Sequence, residues 1–254
     1  MKVLLIGATG NIGIRLVPAL LTHDHTVVAY VRSANKLESL LPESVYRRIT
    51  VVEGNATDSA AIKAAILQNN CEAVVNSAGV AALAPWGKSN LPEIFRAVLN
   101  GVREAGSERK KPLRTWFLGG LGVLYFPGSQ KMLSSYVPIF LAHRQNIQLL
   151  QSLPPNTVDW SMLCPSTMTP ESSDFSVPTK SAHARLTGNG PTPPLWQDSW
   201  LKHIPLIGKT IVCAMNASRY DTTLEQSADF IASDLETYES RWSGLQVGII
   251  DGSK

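Results

Sequence analysis

Short apolar runs and amphipathic stretches take turns along the chain as far as Leu163. Val3–Ile6 is an uninterrupted apolar run of strand length, which predicts a strand buried on both faces. Asn11–Leu21 follows with Ile12, Leu16, Ala19 and Leu20 on one helical face, and Pro18 inside it should cost a backbone hydrogen bond or a kink. The same alternation predicts strands over Thr26–Val31, Ile49–Val52, Ala73–Val75, Thr115–Leu118 and Val158–Leu163. Helices are predicted over Ala34–Leu41, Ser59–Leu67, Leu91–Ala105 and Tyr136–Leu153. Such alternation builds parallel βαβ units, so the expected class is α/β, a doubly wound parallel sheet with helices on both faces.

Beyond Leu163 the periodicity fades. Pro165–Pro194 is rich in Ser, Thr, Pro and Gly, and long irregular segments in compact domains usually serve function. Trp196 and Trp200, four apart, predict a shared helical face with Ile204 nearby, covering the core or forming a lid. Residues 165–221 read as a substrate-side insertion or lid on a single domain spanning 1–254. A helix over Thr223–Leu235, capped by Thr222 or Thr223 with Glu225 in its first turn, and a strand over Gln246–Ile250 close the pattern.

Composition agrees with one globular core: 254 residues, 44% hydrophobic and 17% charged. The net charge is only +3, and the basic runs stop at Arg109–Lys111 and Arg47–Arg48, so no nucleic-acid partner is expected. No apolar stretch approaches the ~20 residues of a membrane span. The apolar start ends at Gly7 and is followed by Asn11 and Arg15, unlike a signal peptide, so a cytoplasmic location is expected. Cys71, Cys164 and Cys213 are odd in number, far apart and without metal-ligand spacing, which predicts reduced thiols and no metal.

The chemistry-bearing motif is Gly7-Ala-Thr-Gly10-Asn-Ile-Gly13, set between the first strand and the first helix. Gly7 suits a tight turn, Gly10 a close approach of backbone to a pyrophosphate, and Gly13 the packing of helix on sheet. Thr9, Asn11 and Ile12 complete the loop, and the helix N-terminus behind it attracts an anion. This is the sequence pattern of a dinucleotide site of Rossmann type. The second strand ends in Tyr30-Val31-Arg32-Ser33 rather than in an acidic residue. A guanidinium there suits a 2′-phosphate, which makes NADPH the expected cofactor.

These residues, together with Gly54-Asn55-Ala56-Thr57-Asp58, Asn76-Ser77-Ala78-Gly79 and Trp160–Ser166, resemble an atypical, NmrA-like member of the short-chain dehydrogenase/reductase superfamily. The resemblance implies that Asn55 and Ala56 lie near the adenine, that Ser77, Ala78 and Gly79 line the middle of the cofactor, and that Pro165 stands near the nicotinamide. It also implies a Tyr-x-x-x-Lys pair and a strand-end serine, and here the chain departs from it. None of the six tyrosines has a lysine four residues on. His143 takes the lysine position, Ile139 the tyrosine position, and Gly119-Gly120 the place of the serine.

The remaining candidates for proton supply are Tyr125, on the loop after the fifth strand, and Tyr136 and His143, which seven-residue spacing would put on one helix face. His143 shares its expected face with Ile139 and Leu150, as packed histidines do; its milder functional role is a hydrogen bond to the cofactor ribose. Three readings stand at this point. The first is an NADPH-dependent reductase of a small apolar carbonyl or conjugated substrate. The others are a dinucleotide-sensing regulator without chemistry and a non-redox isomerase or cyclase on the same scaffold. Oligomeric state is not legible.

Overall fold

The computed structural model describes residues 1–80, 89–178 and 185–253. Strands β1 (Lys2–Ile6), β2 (Thr26–Val31), β3 (Thr50–Glu53), β4 (Ala73–Asn76), β5 (Arg114–Leu118), β6 (Asp159–Leu163) and β10 (Leu245–Asp251) form a parallel sheet in the order β3-β2-β1-β4-β5-β6-β10. The short strand β8 (Leu186–Asn189) adds antiparallel to β10 at the edge, the eighth strand. A second pairing joins β7 (Met168–Thr169) to β9 (Thr222–Thr223).

Period-two alternation splits the core into two layers. Val3 and Leu5 of β1 pack with α1 (Gly13–Thr22) and α8 (Leu224–Asp234), whereas Leu4 and Ile6 pack with α4 (Ser59–Gln68), α5 (Leu91–Arg109) and α6 (Ala142–Gln151). α1 and α8 are joined by Arg15, which pairs with Glu225 and donates to the carbonyls of Asn11 and Ser172. α8 carries the expected cap: Thr223 accepts from the Gln226 amide while Gln226 accepts from the Thr223 amide. α1 runs unbroken through Pro18.

Strand order reverses between β1 and β4, and the crevice at the carboxyl ends of these strands is where open α/β sheets take ligands. Two helical expectations are corrected. The helix expected from Tyr136 starts at Ala142. Val137 precedes Pro138, which disfavours helical backbone before it, and Phe140 sits at φ +50°. Tyr136 and His143 therefore share no helix face, and Ile139 is exposed ahead of α6. Trp196 and Trp200 share none either: the former packs between Phe126 and Tyr220, while the latter opens a 3-10 turn over Trp200–His203 and is 75% exposed. The short helices α2 (Ala34–Leu40), α3 (Glu43–Tyr46) and α7 (Gly208–Ala217) complete the fold.

Candidate functional site

The three loop glycines turn out to do different work. Gly7 stands at φ +93°, and a Cβ on it would lie 2.7 Å from the Ala78 nitrogen. A Cβ on Gly13 would lie 2.0 Å from the Gly7 carbonyl oxygen and 2.9 Å from Ser77 Oγ. Both are required by the protein's own packing, Gly13 against the loop and β4 rather than against the sheet at large. Gly10 is exposed, has no positive φ, and a Cβ there would meet only the Gly7 oxygen, at 3.3 Å. Among the described residues, this one tight backbone contact is all that bears on glycine at that position. The space beside it suits a bound pyrophosphate, and no side chain caps α1.

The other residues of the expected cofactor set lie along the same carboxyl edge. Asn55 and Ala56 follow β3 over the Tyr30 ring, whose hydroxyl donates to the Asn55 carbonyl at 3.2 Å. Gly54 allows this: a Cβ would lie 2.1 Å from Tyr30 Oη. Ser77 donates to the Ile6 carbonyl, tying β4's end to β1. Thr9, Asn11 and Ile12 lie in the loop, Ser77–Gly79 after β4, and Pro165 after β6. Arg32 is exposed, with no hydrogen bond or ion pair to the described residues. Ser33 caps α2, and Glu53 at the end of β3 accepts from the Ala34 amide at 2.6 Å. Glu53 thus brings a negative charge to the corner where Arg32 would hold a 2′-phosphate. Sequence reasoning missed it, because β3 had to be placed beside β2 first.

Beyond the ends of β5 and β6 lies a cavity of about 450 Å³. Its walls include Gly119, Gly120, Leu121, Val123, Leu133, Val137, His143, Pro165, Met168 and Cys213. The imidazole of His143 approaches the backbone closely: a Cβ on Gly120 would lie 3.3 Å from its Cδ2. Burial lowers the pKa of His143 to about 4, so the ring is neutral at pH 7. Its Nδ1 is buried without a hydrogen-bond partner among the described residues, as is Ser134 Oγ, also on the cavity wall.

Neither tyrosine reaches this cavity. Tyr125 accepts from Gln151 Nε2 at 3.1 Å, at the far end of α6. Tyr136 packs edge-on against Phe126, and its hydroxyl accepts from Lys209 Nζ at 3.3 Å. This is a tyrosine–lysine contact, assembled from distant positions and lying outside the cavity walls. Of the three proton-supply candidates, only His143 lines the cavity. Cys164 is buried, and burial raises its pKa; the other two thiols are raised to about 11 by burial. No cluster of metal-ligating residues occurs among the described residues, and no described helix is long and apolar enough to cross a membrane.

A family model described as NAD(P)H-binding matches residues 7–189. No match was found among curated proteins. Among solved structures, a short-chain dehydrogenase/reductase from Veillonella parvula DSM 2008 in complex with NADP superposes with a TM-score of 0.61 at 15% identity, covering 98% of this chain and 93% of that one. The oxidoreductase ylbE from Lactococcus lactis gives 0.63 at 16% identity, covering 99% and 91%. ChuY, an anaerobilin reductase from Escherichia coli O157:H7, gives 0.62 at 16% identity, covering 100% and 98%. At such identities the likeness is one of fold. The chain belongs to the NAD(P)H-binding family, and its Rossmann-like fold is shared with these structures.

Proposed function

We propose that the protein is an NADPH-dependent oxidoreductase that reduces a small apolar carbonyl or conjugated substrate. The observation that carries this reading is the continuity of the carboxyl edge. The glycine loop, with an open Gly10, stands over the crevice between β1 and β4, and further along the same edge lies a largely apolar cavity holding a neutral imidazole. Gly7–Gly13, Asn55, Ala56 and Ser77–Gly79 would hold the cofactor, and Arg32 would select its 2′-phosphate. When bound, the cofactor supplies a hydride. The walls exclude water and orient the acceptor; proximity of this kind contributes ~7–11 kcal/mol. His143 would donate an N–H hydrogen bond to the substrate oxygen or to the ribose, with solvent as the source of the proton. Residues 165–221 would act as the substrate-side wall, since Pro165, Met168 and Cys213 face the cavity.

A second reading, a dinucleotide sensor without turnover, is favoured by one observation: among the described residues, no tyrosine or lysine lines the cavity. Isothermal titration with NADPH and NADH, followed by NADPH oxidation against a panel of aldehydes, ketones, enones and quinones, separates the two. Binding with turnover supports the reductase. Tight binding with no turnover across the panel supports the sensor, and absence of binding refutes both.

A further inference from the structure

We propose that the cavity is built for an apolar molecule bearing a carboxylate, with Arg144 as its counter-charge. This inference rests on the reading of the cavity as the substrate side. Arg144 is the third residue of α6 and lies on the cavity wall next to His143. No acidic side chain pairs with it among the described residues, and residues 81–88 and 179–184 contain none to offer. Several other cations are matched by acids, Arg15 with Glu225, Arg114 with Asp234 and Lys63 with Glu108, and others such as Arg109 and Lys209 meet carbonyl or hydroxyl oxygens.

Position makes the unmatched charge more telling. The first turn of a helix carries the positive end of the dipole, which disfavours a cation there. α6 has no acidic residue in its first turn and no side-chain cap. Arg144 and the helix end thus present positive potential to one cavity, with nothing on the chain to neutralise either. Among the described residues, no carboxylate lines the cavity. Two buried polar atoms on the same wall, Ser134 Oγ and His143 Nδ1, lack partners among the described residues; the hydroxyl can donate, and so can Nδ1 in the tautomer that protonates it. The remaining walls are mostly apolar, among them Leu121, Val137, Phe140 and Met168, with the hydroxyl residues Ser166 and Thr167 as the exceptions. An anion there would relieve the dipole conflict and gain a charge-assisted contact, while the apolar body of the ligand fills the rest. The volume of about 450 Å³ suits a small organic acid.

The test uses a matched pair that cannot be reduced, 4-phenylbutanoate and 4-phenylbutanamide, titrated calorimetrically into the full chain saturated with NADPH. The acid is expected to bind at least about tenfold more tightly than the amide. Arg144→Met, which keeps the apolar stem, should remove that preference without weakening NADPH binding; Arg144→Lys should retain part of it. Equal affinities for the two probes, no binding of either at millimolar concentration, or a preference that survives Arg144→Met would overturn the proposal. So would a loss of NADPH affinity in Arg144→Met, which would assign the guanidinium to a cofactor phosphate. Because neither probe is reducible, an acid preference with no turnover on any carbonyl would count against the reductase reading alone.

Discussion

Replacing His143 with glutamine should make the protein less sensitive to acid. Burial holds the folded-state pKa of this imidazole at about 4, against an ordinary value of 6.5. Between these values the unfolded chain takes up a proton that the folded chain refuses. Stability is therefore complete above pH 6.5 and falls as the pH drops toward 4. Integrated from pH 7.5 to 4.5, a shift of this size amounts to about 2.5 kcal/mol; the ring lines an open cavity, and screening there brings the working figure to about 2 kcal/mol. Urea unfolding of the ligand-free protein, followed by tryptophan fluorescence at both pH values, measures it. The wild type should lose about 2 kcal/mol more than His143→Gln across the window. Equal losses within about 0.5 kcal/mol would refute both the burial of the imidazole and its neutrality at pH 7.

Gly10→Val should abolish NADPH binding and leave the thermal midpoint within about 4 °C, whereas Gly13→Ala should destabilise the fold by about 1–3 kcal/mol or more through its clash with the Gly7 carbonyl; calorimetry and thermal melts of the two variants check this, and unchanged NADPH affinity in Gly10→Val would remove the glycine loop from the cofactor site. Arg32→Ala should cost about tenfold to a hundredfold in NADPH affinity and nothing in NADH affinity, while Glu53→Gln should improve NADPH binding by about fivefold, the worth of one like charge near a phosphate in water; titration of both cofactors against both variants decides it. Tyr125→Phe should change turnover by less than about tenfold, well short of the ~10²–10⁴-fold expected of a general acid, and steady-state kinetics on any accepted substrate would expose a larger loss.

The parallel strands were legible because most of them are buried on both faces and read as plain apolar runs, whereas the half-exposed edge strand β8 gave no such signal. β2 lies at Thr26–Val31 as expected, and β1, β3, β4, β5, β6 and β10 differ from expectation by one or two residues at their ends. The cofactor loop was legible because three glycines at fixed spacing have a physical cause, although the sequence could not divide their work between fold and ligand. The cavity was not legible. Its far wall comes from Met168, Cys213 and Ala217, brought against β5 by the long excursion between β6 and β10. α7 lacks a side-chain cap and so gave no start signal. The start of α6 was misplaced because helical spacing was allowed to outweigh Pro138. That one error put Tyr136 beside His143 and made a surface contact look catalytic.

The departures from the superfamily pattern are physically linked. A Cβ on Gly119 would lie 2.7 Å from Met162 Sδ, and one on Gly120 would press on His143. A strand-end serine therefore cannot be restored without moving the side chains that now fill its place. The backbone left bare by the glycine pair is what lets the imidazole approach. A histidine kept only for packing would be an expensive choice here, because burying a polar ring with an unpartnered Nδ1 carries a desolvation cost that leucine or phenylalanine would avoid. That cost is tolerated most readily where the other edge of the ring faces a ligand. Neutral at pH 7, the ring keeps one N–H and can donate a hydrogen bond to an oxygen. A site rebuilt around such a donor needs positioning and exclusion of water more than it needs a strong acid. On the reductase reading, the apolar walls around His143 would provide both.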